Sequence, residues 1–173
     1  LNPVQPMLAD DQGAGEVLLD VQNLCVDLPA AGGQTRLVDR VSFRIRKGER
    51  VALVGESGSG KSVTARSLLR LNRRLATSGL IRLDGLDLLQ LPERQMAQVR
   101  GRKIGMAFQD AFTSLDPVMR IGDQMMETLL VHGTHRSLAH EQAVNMLREL
   151  GVQDAENRMK AYVHEFSGGM RQR

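Results

Sequence analysis

Gly55-Glu56-Ser57-Gly58-Ser59-Gly60-Lys61-Ser62 satisfies the pattern G-x-x-x-x-G-K-[S/T] at every specified position. No other stretch constrains the fold so tightly, because the pattern works only where a strand ends and a helix begins. The flanks suit that junction. Val51-Ala52-Leu53-Val54 precedes it, apolar on both faces, as expected of a strand inside a parallel sheet covered by helices. A helix is expected from Lys61 to about Leu71. Phosphates carry dense negative charge and many acceptor oxygens, so the loop must wrap them with backbone N–H groups. Gly58 and Gly60 permit that close approach and its unusual dihedrals. The helix opening near Lys61 and Val63 aims its free N–H groups and positive dipole end at the anion. Lys61 adds a full positive charge for the outer phosphates, and the Ser62 hydroxyl is placed to ligate Mg²⁺. The expected ligand is a nucleoside triphosphate. What its energy drives is left open, since kinases, GTPases and motor ATPases share the loop.

The 173 residues suffice for one domain with a real core, and 42% hydrophobic with 25% charged is a globular balance. A net charge of +3 does not argue for nucleic acid, and five aromatics (four Phe, one Tyr) offer little for base stacking. Cys25 alone excludes a disulfide framework or a cysteine metal cluster, and its strand pattern makes it a small core residue. No apolar run approaches the length of a membrane span, and no signal peptide is visible. The expected compartment is the cytosol. The chain opens on Leu1 and stops at Met170-Arg171-Gln172-Arg173, which reads as a piece of a longer protein.

Residues 1–15 read as a loose leader. Val17 to Leu28 and the alternating Val41, Phe43 and Ile45 read as strands, joined through Ala30-Ala31-Gly32-Gly33. Lys47-Gly48-Glu49 is a tight turn. Gly79 to Leu83 is a short strand closed by Asp84-Gly85, Pro92 to Arg100 a short helix, and Ile104 to Phe108 a second strand without alternation. From Phe112 the pattern turns helical. Ile121, Met125 and Leu129 share a face closed by Gly133. Ser137 is the expected cap of the next helix, which buries Ala143, Val144, Met146, Leu147 and Leu150 and ends at Gly151.

Two more segments carry a resemblance. Phe166-Ser167-Gly168-Gly169-Met170-Arg171-Gln172-Arg173 resembles the signature motif of ATP-binding cassette (ABC) proteins, and Phe108-Gln109-Asp110 resembles their Q-loop. With the phosphate loop, three motifs stand in the family's order over roughly Val17 to Arg173. The stretches 55–64, 108–117 and 162–173 look like the oligopeptide, dipeptide and nickel importer ATPases. That subfamily commonly reads FQDPMTSLNP and YPHEFSGGMRQR there; Ala111, Phe112, Asp116 and Val163 depart from it.

The resemblance implies an α/β fold of the P-loop NTPase, ABC ATPase type: an incomplete parallel core sheet with an antiparallel β subdomain and an α-helical subdomain. The implied parts are a β subdomain with phosphate-loop core over 16–110, a helical subdomain over 111–166 and the signature over 167–173. ATP and Mg²⁺ are the implied cofactors. ATP would lie in a head-to-tail sandwich, with Ser167, Gly168, Gly169 and Met170 of one subunit capping the γ-phosphate held by the other. Read alone, Ser167-Gly168-Gly169 is also an ordinary helix N-cap with a glycine turn. Gln109 would sense Mg²⁺ and the attacking water. The family's adenine-stacking aromatic is matched by Leu28, leaving apolar contact from Leu28 or Val38. The implied partners are a second ABC ATPase subunit (a homo- or heterodimer), membrane permease subunits and, indirectly, an extracytoplasmic solute-binding protein, with no nucleic acid. The implied location is peripheral, at the cytoplasmic face of the inner membrane.

The family's Walker B carboxylates and switch histidine follow the signature and are not among these residues. All four histidines precede it and read as surface or loop residues. The 173-residue chain alone is therefore expected not to sustain hydrolysis. The alternatives are a cassette ATPase acting on nucleic acid or ribosomes, or a non-catalytic remnant. A P-loop small-molecule kinase leaves Ser167–Arg173 unexplained.

Overall fold

A computed structural model describes residues 15–30, 33–108 and 114–173. Gln109, Asp110, Ala111 and Phe112 lie outside the described residues, as does most of the expected leader. The chain divides into two units, Leu1–Ala97 and Gln98–Arg173.

The first unit is built on an antiparallel sheet. Strand β1 (Val17–Ala30) pairs with β2 (Gly33–Arg46) on one side and β3 (Ala76–Leu83) on the other, and β3 turns into the short β4 (Leu86–Asp87). The cross-strand pairs Val21↔Phe43, Val21↔Ile81 and Val26↔Val38 join apolar positions on neighbouring strands. Leu19, Val21, Leu24, Val26, Val38, Val41 and Ile81 form the buried face. Alternation along β1 slips between Val21 and Leu24 because the strand bulges there, with Asn23 at φ 48°. Gly79 faces that bulge: a Cβ on it would lie 2.5 Å from the Asn23 carbonyl oxygen and 2.7 Å from that of Gln22. Asp84 and Gly85 (φ 50° and 77°) link β3 to β4 with the left-handed dihedrals that a two-residue hairpin demands. Helix α1 (Lys61–Leu68) packs on β1 and β2, and α2 (Glu93–Val99) follows Pro92 and buries Met96.

The second unit is helical. Helix α3 (Ile121–Val131) packs against α4 (Arg136–Glu149), followed by α5 (Ala155–Arg158), a 3₁₀ turn at Val163–Glu165 and α6 (Gly168–Gln172). Its core joins Ile121, Met126, Ala139, Ala143, Val144, Leu147, Met159 and Phe166. The first N–H groups of α3 donate to the segment before the 3₁₀ turn: Ile121 to the Ala161 carbonyl and Gly122 to that of Met159, each at 2.9 Å. Gly122 admits this approach because a Cβ there would lie 2.6 Å from the same Met159 oxygen.

Four expectations are corrected. Val51, Leu53 and Val54 are 50%, 41% and 81% exposed and join no sheet. Ile104 to Phe108 contributes only an isolated bridge from Ile104 to Arg100. A parallel strand has no hairpin partner and needs a neighbour brought by a crossover; these two runs find none among the described residues. Ser137 does not cap α4. His135 does, its ring accepting the Ser137 N–H, because His135 carries the extended backbone (ψ 143°) that a cap requires. Met146 and Leu150 are exposed, since α4 turns the Ala139, Ala143, Val144 and Leu147 stripe inward.

Candidate functional site

Residues 55–62 take the shape that their glycines predict. Gly58 (φ 81°) and Gly60 (φ 95°) are both left-handed. The Ser59 N–H donates to the Glu56 carbonyl at 3.2 Å, closing the loop. At its far end Gly60 lies against β2, where a Cβ would sit 2.8 Å from the Leu37 carbonyl oxygen and 3.4 Å from a Val38 methyl. The backbone of β2 is thus the wall that holds the loop's exit, and glycine is required there twice over, by dihedral and by space. Val38 is buried at this contact, whereas Leu28, further along the hairpin opposite Thr35, is exposed.

Helix α1 then opens directly on Lys61. Gly60 is its N-cap residue and supplies no side-chain cap. The first-turn N–H groups of Lys61, Ser62 and Val63 therefore keep their donor capacity, while Thr64 makes the first intrahelical bond, to the Gly60 carbonyl at 2.8 Å. The Lys61 ammonium turns back over the loop and donates to the carbonyls of Gly55 and Glu56, both at 2.6 Å, and to Ser59 Oγ at 3.3 Å. Ser62 is exposed beside it. One cation, a set of uncapped N–H donors and a free hydroxyl meet at one helix entrance. That donor set fits a polyphosphate, and the hydroxyl fits a hard divalent cation that prefers oxygen ligands.

A second glycine turn stands in the other unit. Phe166 is anchored in the helical core, with the Arg158 guanidinium 5.7 Å from its ring centre. Ser167 follows as the N-cap of α6, its Oγ accepting the Met170 N–H at 3.3 Å. Arg171 secures the turn from behind by donating to the Phe166 carbonyl at 2.9 Å. Ser167, Gly168 and Gly169 are exposed and Met170 is half-buried.

The hairpin behind the loop holds an ion network that sequence reading did not single out. The Arg36 guanidinium donates to the buried Asp27 at 2.9 Å and to Asp39 at 3.0 Å. The Arg36 hydrogen bond holds the Asp39 carboxyl below the usual carboxylate range, and Asp27 and Asp39 together raise the Arg36 guanidinium. The Arg40 N–H donates to the buried Cys25 Sγ at 3.3 Å, so Cys25 is the core residue its strand pattern implies. Alternation gave no warning: Leu24, Val26 and Leu28 put Asp27 on the outward face, yet Asp27 is buried, and a buried carboxylate needs a cation. His132 also departs from a plain surface histidine, since its Nε2 lies 2.9 Å from the Arg100 carbonyl and its Nδ1 is buried and, among the described residues, has no partner.

Residues 38–173 match the family model described as ABC transporter. The chain is 46% identical over 162 residues to the oligopeptide transport ATP-binding protein OppD of Salmonella typhimurium, covering 91% of this chain and 48% of that protein. It is 44% identical over 164 residues to the dipeptide transport ATP-binding protein DppD of Lactococcus lactis, covering 92% and 47%. The chain thus spans about half the length of the curated relatives it matches. Among solved structures it resembles dimeric MJ0796, a bacterial ABC transporter cassette, with a TM-score of 0.75 at 20% identity, covering 90% of this chain and 66% of that one. A post-hydrolysis form of the same cassette, bound to ADP and Pi, gives 0.72 at 18%. At that identity the likeness concerns the fold.

Proposed function

From the premise that this chain belongs to the ABC transporter family, we propose that it is the nucleotide-binding part of a peptide importer's ATP-binding subunit. The uncapped entrance of α1, with Lys61 poised over left-handed Gly58 and Gly60, carries the reading. The relatives' names, oligopeptide and dipeptide transport ATP-binding proteins, support the class of cargo.

In this reading Gly55 to Val63 form the phosphate cradle. The Lys61 ammonium exchanges its two carbonyl partners for phosphate oxygens, and the loop's N–H groups hold the β-phosphate. Ser62 is the protein's ligand to Mg²⁺, with Gln109 as the second. The metal neutralises charge on the transferred phosphoryl group when bound. Leu28 and Val38 offer the base an aliphatic surface. Ser167, Gly168, Gly169 and Met170 of one subunit face the γ-phosphate held by a second ABC ATPase subunit, which restricts hydrolysis to the closed pair. Permease subunits in the membrane take up the motion, and the solute-binding protein delivers cargo to them. The subunit works at the cytoplasmic face, bound peripherally; among the described residues no helix is long and apolar enough to cross a membrane. Hydrolysis belongs to the whole protein, because beyond Ser62 and Gln109 the assigned residues include no carboxylate to complete the metal site or orient the attacking water.

Equilibrium titration of the full-length protein with Mg-ATP tests this. Saturable binding is expected, and Lys61→Ala should weaken it at least ~10-fold, as loss of a charged hydrogen-bond donor does. Binding that ignores Lys61 would overturn the reading.

A further inference from the structure

Three consecutive carbonyls lead into the Ser167 turn, and each is held by a donor from the helical unit. The Glu165 carbonyl accepts from Arg158 Nη1 at 3.5 Å, and the Phe166 carbonyl from Arg171 Nε at 2.9 Å. The Ser167 carbonyl accepts the Arg171 N–H at 3.0 Å. Arg171 thus supplies two of the donors, one from its half-buried side chain and one from its backbone. The Glu165 carboxylate is engaged as well, its Oε2 accepting the Tyr162 N–H at 2.7 Å.

A trans peptide sets its N–H opposite to its carbonyl. Holding the Phe166 and Ser167 carbonyls therefore also fixes where the Ser167 and Gly168 N–H groups aim, away from Arg171. Among the described residues the N–H groups of Ser167, Gly168 and Gly169 meet no acceptor, and all three residues are exposed. Phe166 behind them is fixed three ways. Its ring is buried in the helical core under the Arg158 guanidinium, its N–H donates to the Val163 carbonyl at 3.1 Å, and its carbonyl is the one Arg171 holds. The turn has its acceptors occupied behind and its donors open in front, so an approaching anion meets N–H groups and few lone pairs.

We propose that Arg171, assisted by Arg158, is a positioning residue that aims the Ser167–Gly169 donors at the γ-phosphate held by the second subunit. The inference rests on the reading of that turn given above and gives Arg171 no contact with the nucleotide itself. Charge alone is the weaker account, because Arg171 Nε is bonded to a carbonyl that points away from the open donors. What matters is an N–H at that place, whether or not it is charged.

Two substitutions separate aim from charge. Gln carries a neutral amide N–H at the place along the side chain where Arg carries Nε, and Met reaches as far with no donor. Pairing of the full-length protein with its second ATPase subunit, driven by ATPγS and Mg²⁺, is followed by sedimentation. Arg171→Met should weaken pairing at least ~10-fold, as loss of a charged hydrogen-bond donor does, and Arg171→Gln should stay within ~3-fold of wild type. Arg158→Met, whose donor stands further off, should lose less than ~3-fold. Mg-ATP affinity of the separate subunit should stay within ~2-fold of wild type in all three variants and keep its dependence on Lys61. Equal losses from Arg171→Gln and Arg171→Met would assign the effect to charge and overturn the inference, and so would unchanged pairing in Arg171→Met. Where Arg171→Met fails to fold, Arg171→Gln decides: a loss beyond ~10-fold overturns the inference, and pairing within ~3-fold supports it. If the wild-type protein binds Mg-ATP but shows no nucleotide-driven pairing, the sandwich reading falls and this inference falls with it.

Discussion

The loop at Gly55–Ser62 and the turn at Ser167–Gly169 are both glycine-rich entrances to a helix, yet they are finished differently. The first is uncapped: Gly60 offers no side chain, and the first-turn N–H groups wait for a ligand. The second caps itself through Ser167 Oγ on the Met170 N–H. Gly60 is pressed on the β2 backbone, whereas a Cβ at Gly169 would meet nothing within 4 Å. A glycine can thus mark a place where only hydrogen fits or a place that merely stays clear for something to approach. The dihedral and the neighbour decide which.

The largest effect should separate those two glycines. Gly60→Ala forces a methyl onto the Leu37 carbonyl at a left-handed φ, so a loss of about 2 kcal/mol or more is expected, read as a lower urea midpoint of the full-length protein. Gly169→Ala, within the first turn of α6, should stay within about 0.5 kcal/mol of wild type and could gain from helix propensity. Equal losses at the two sites would erase the distinction. A smaller effect tests the self-cap. Ser167→Ala should cost about 1 kcal/mol, as N-cap removal does, in the same urea titration. A null result would mean that the Arg171 bond to the Phe166 carbonyl holds the turn unaided.

What could be read from the sequence was local. The Gly58 and Gly60 dihedrals, the Asp84-Gly85 hairpin, and Gly133 and Gly151 at helix ends (φ 88° and 71°) each follow from chemistry within a few residues. The failures were nonlocal. Val51–Val54 reads the same whether or not a partner strand lies beside it, so composition could not reveal that the run stays outside the sheet. Met146 and Leu150 are as apolar as Leu147; only the packing of α4 on α3 decides which of them face inward. His135 displaced Ser137 as cap because one residue's ψ moved the helix start, a margin inside the usual uncertainty of helix ends. The site was legible as a donor set, but its rear wall was not, since nothing in Leu37 or Val38 announces that Gly60 will press on them.

That wall supplies the smallest and most specific difference between the two turns. Leu37 and Val38 lie between Arg36 and Asp39, whose ion pair ties the same stretch of β2 to Asp27 on β1. Ser167, Gly168 and Gly169 carry no titrating group. Asp39 is held below its ordinary value of 3.8, first by the hydrogen bond from Arg36. A depressed carboxylate contributes stability that is fully present above the unfolded pKa and is lost as pH falls through the folded one. The window therefore opens near pH 3.8 and extends downward. Thermal midpoints followed from pH 6 to pH 3 should fall less steeply for Asp39→Asn than for wild type, the wild-type advantage being full at pH 6 and the curves converging only in the acid limb. Because the pair is exposed, the separation should also shrink with added salt. Superimposable curves would mean that the Arg36 to Asp27 bond alone steadies the strand behind the loop.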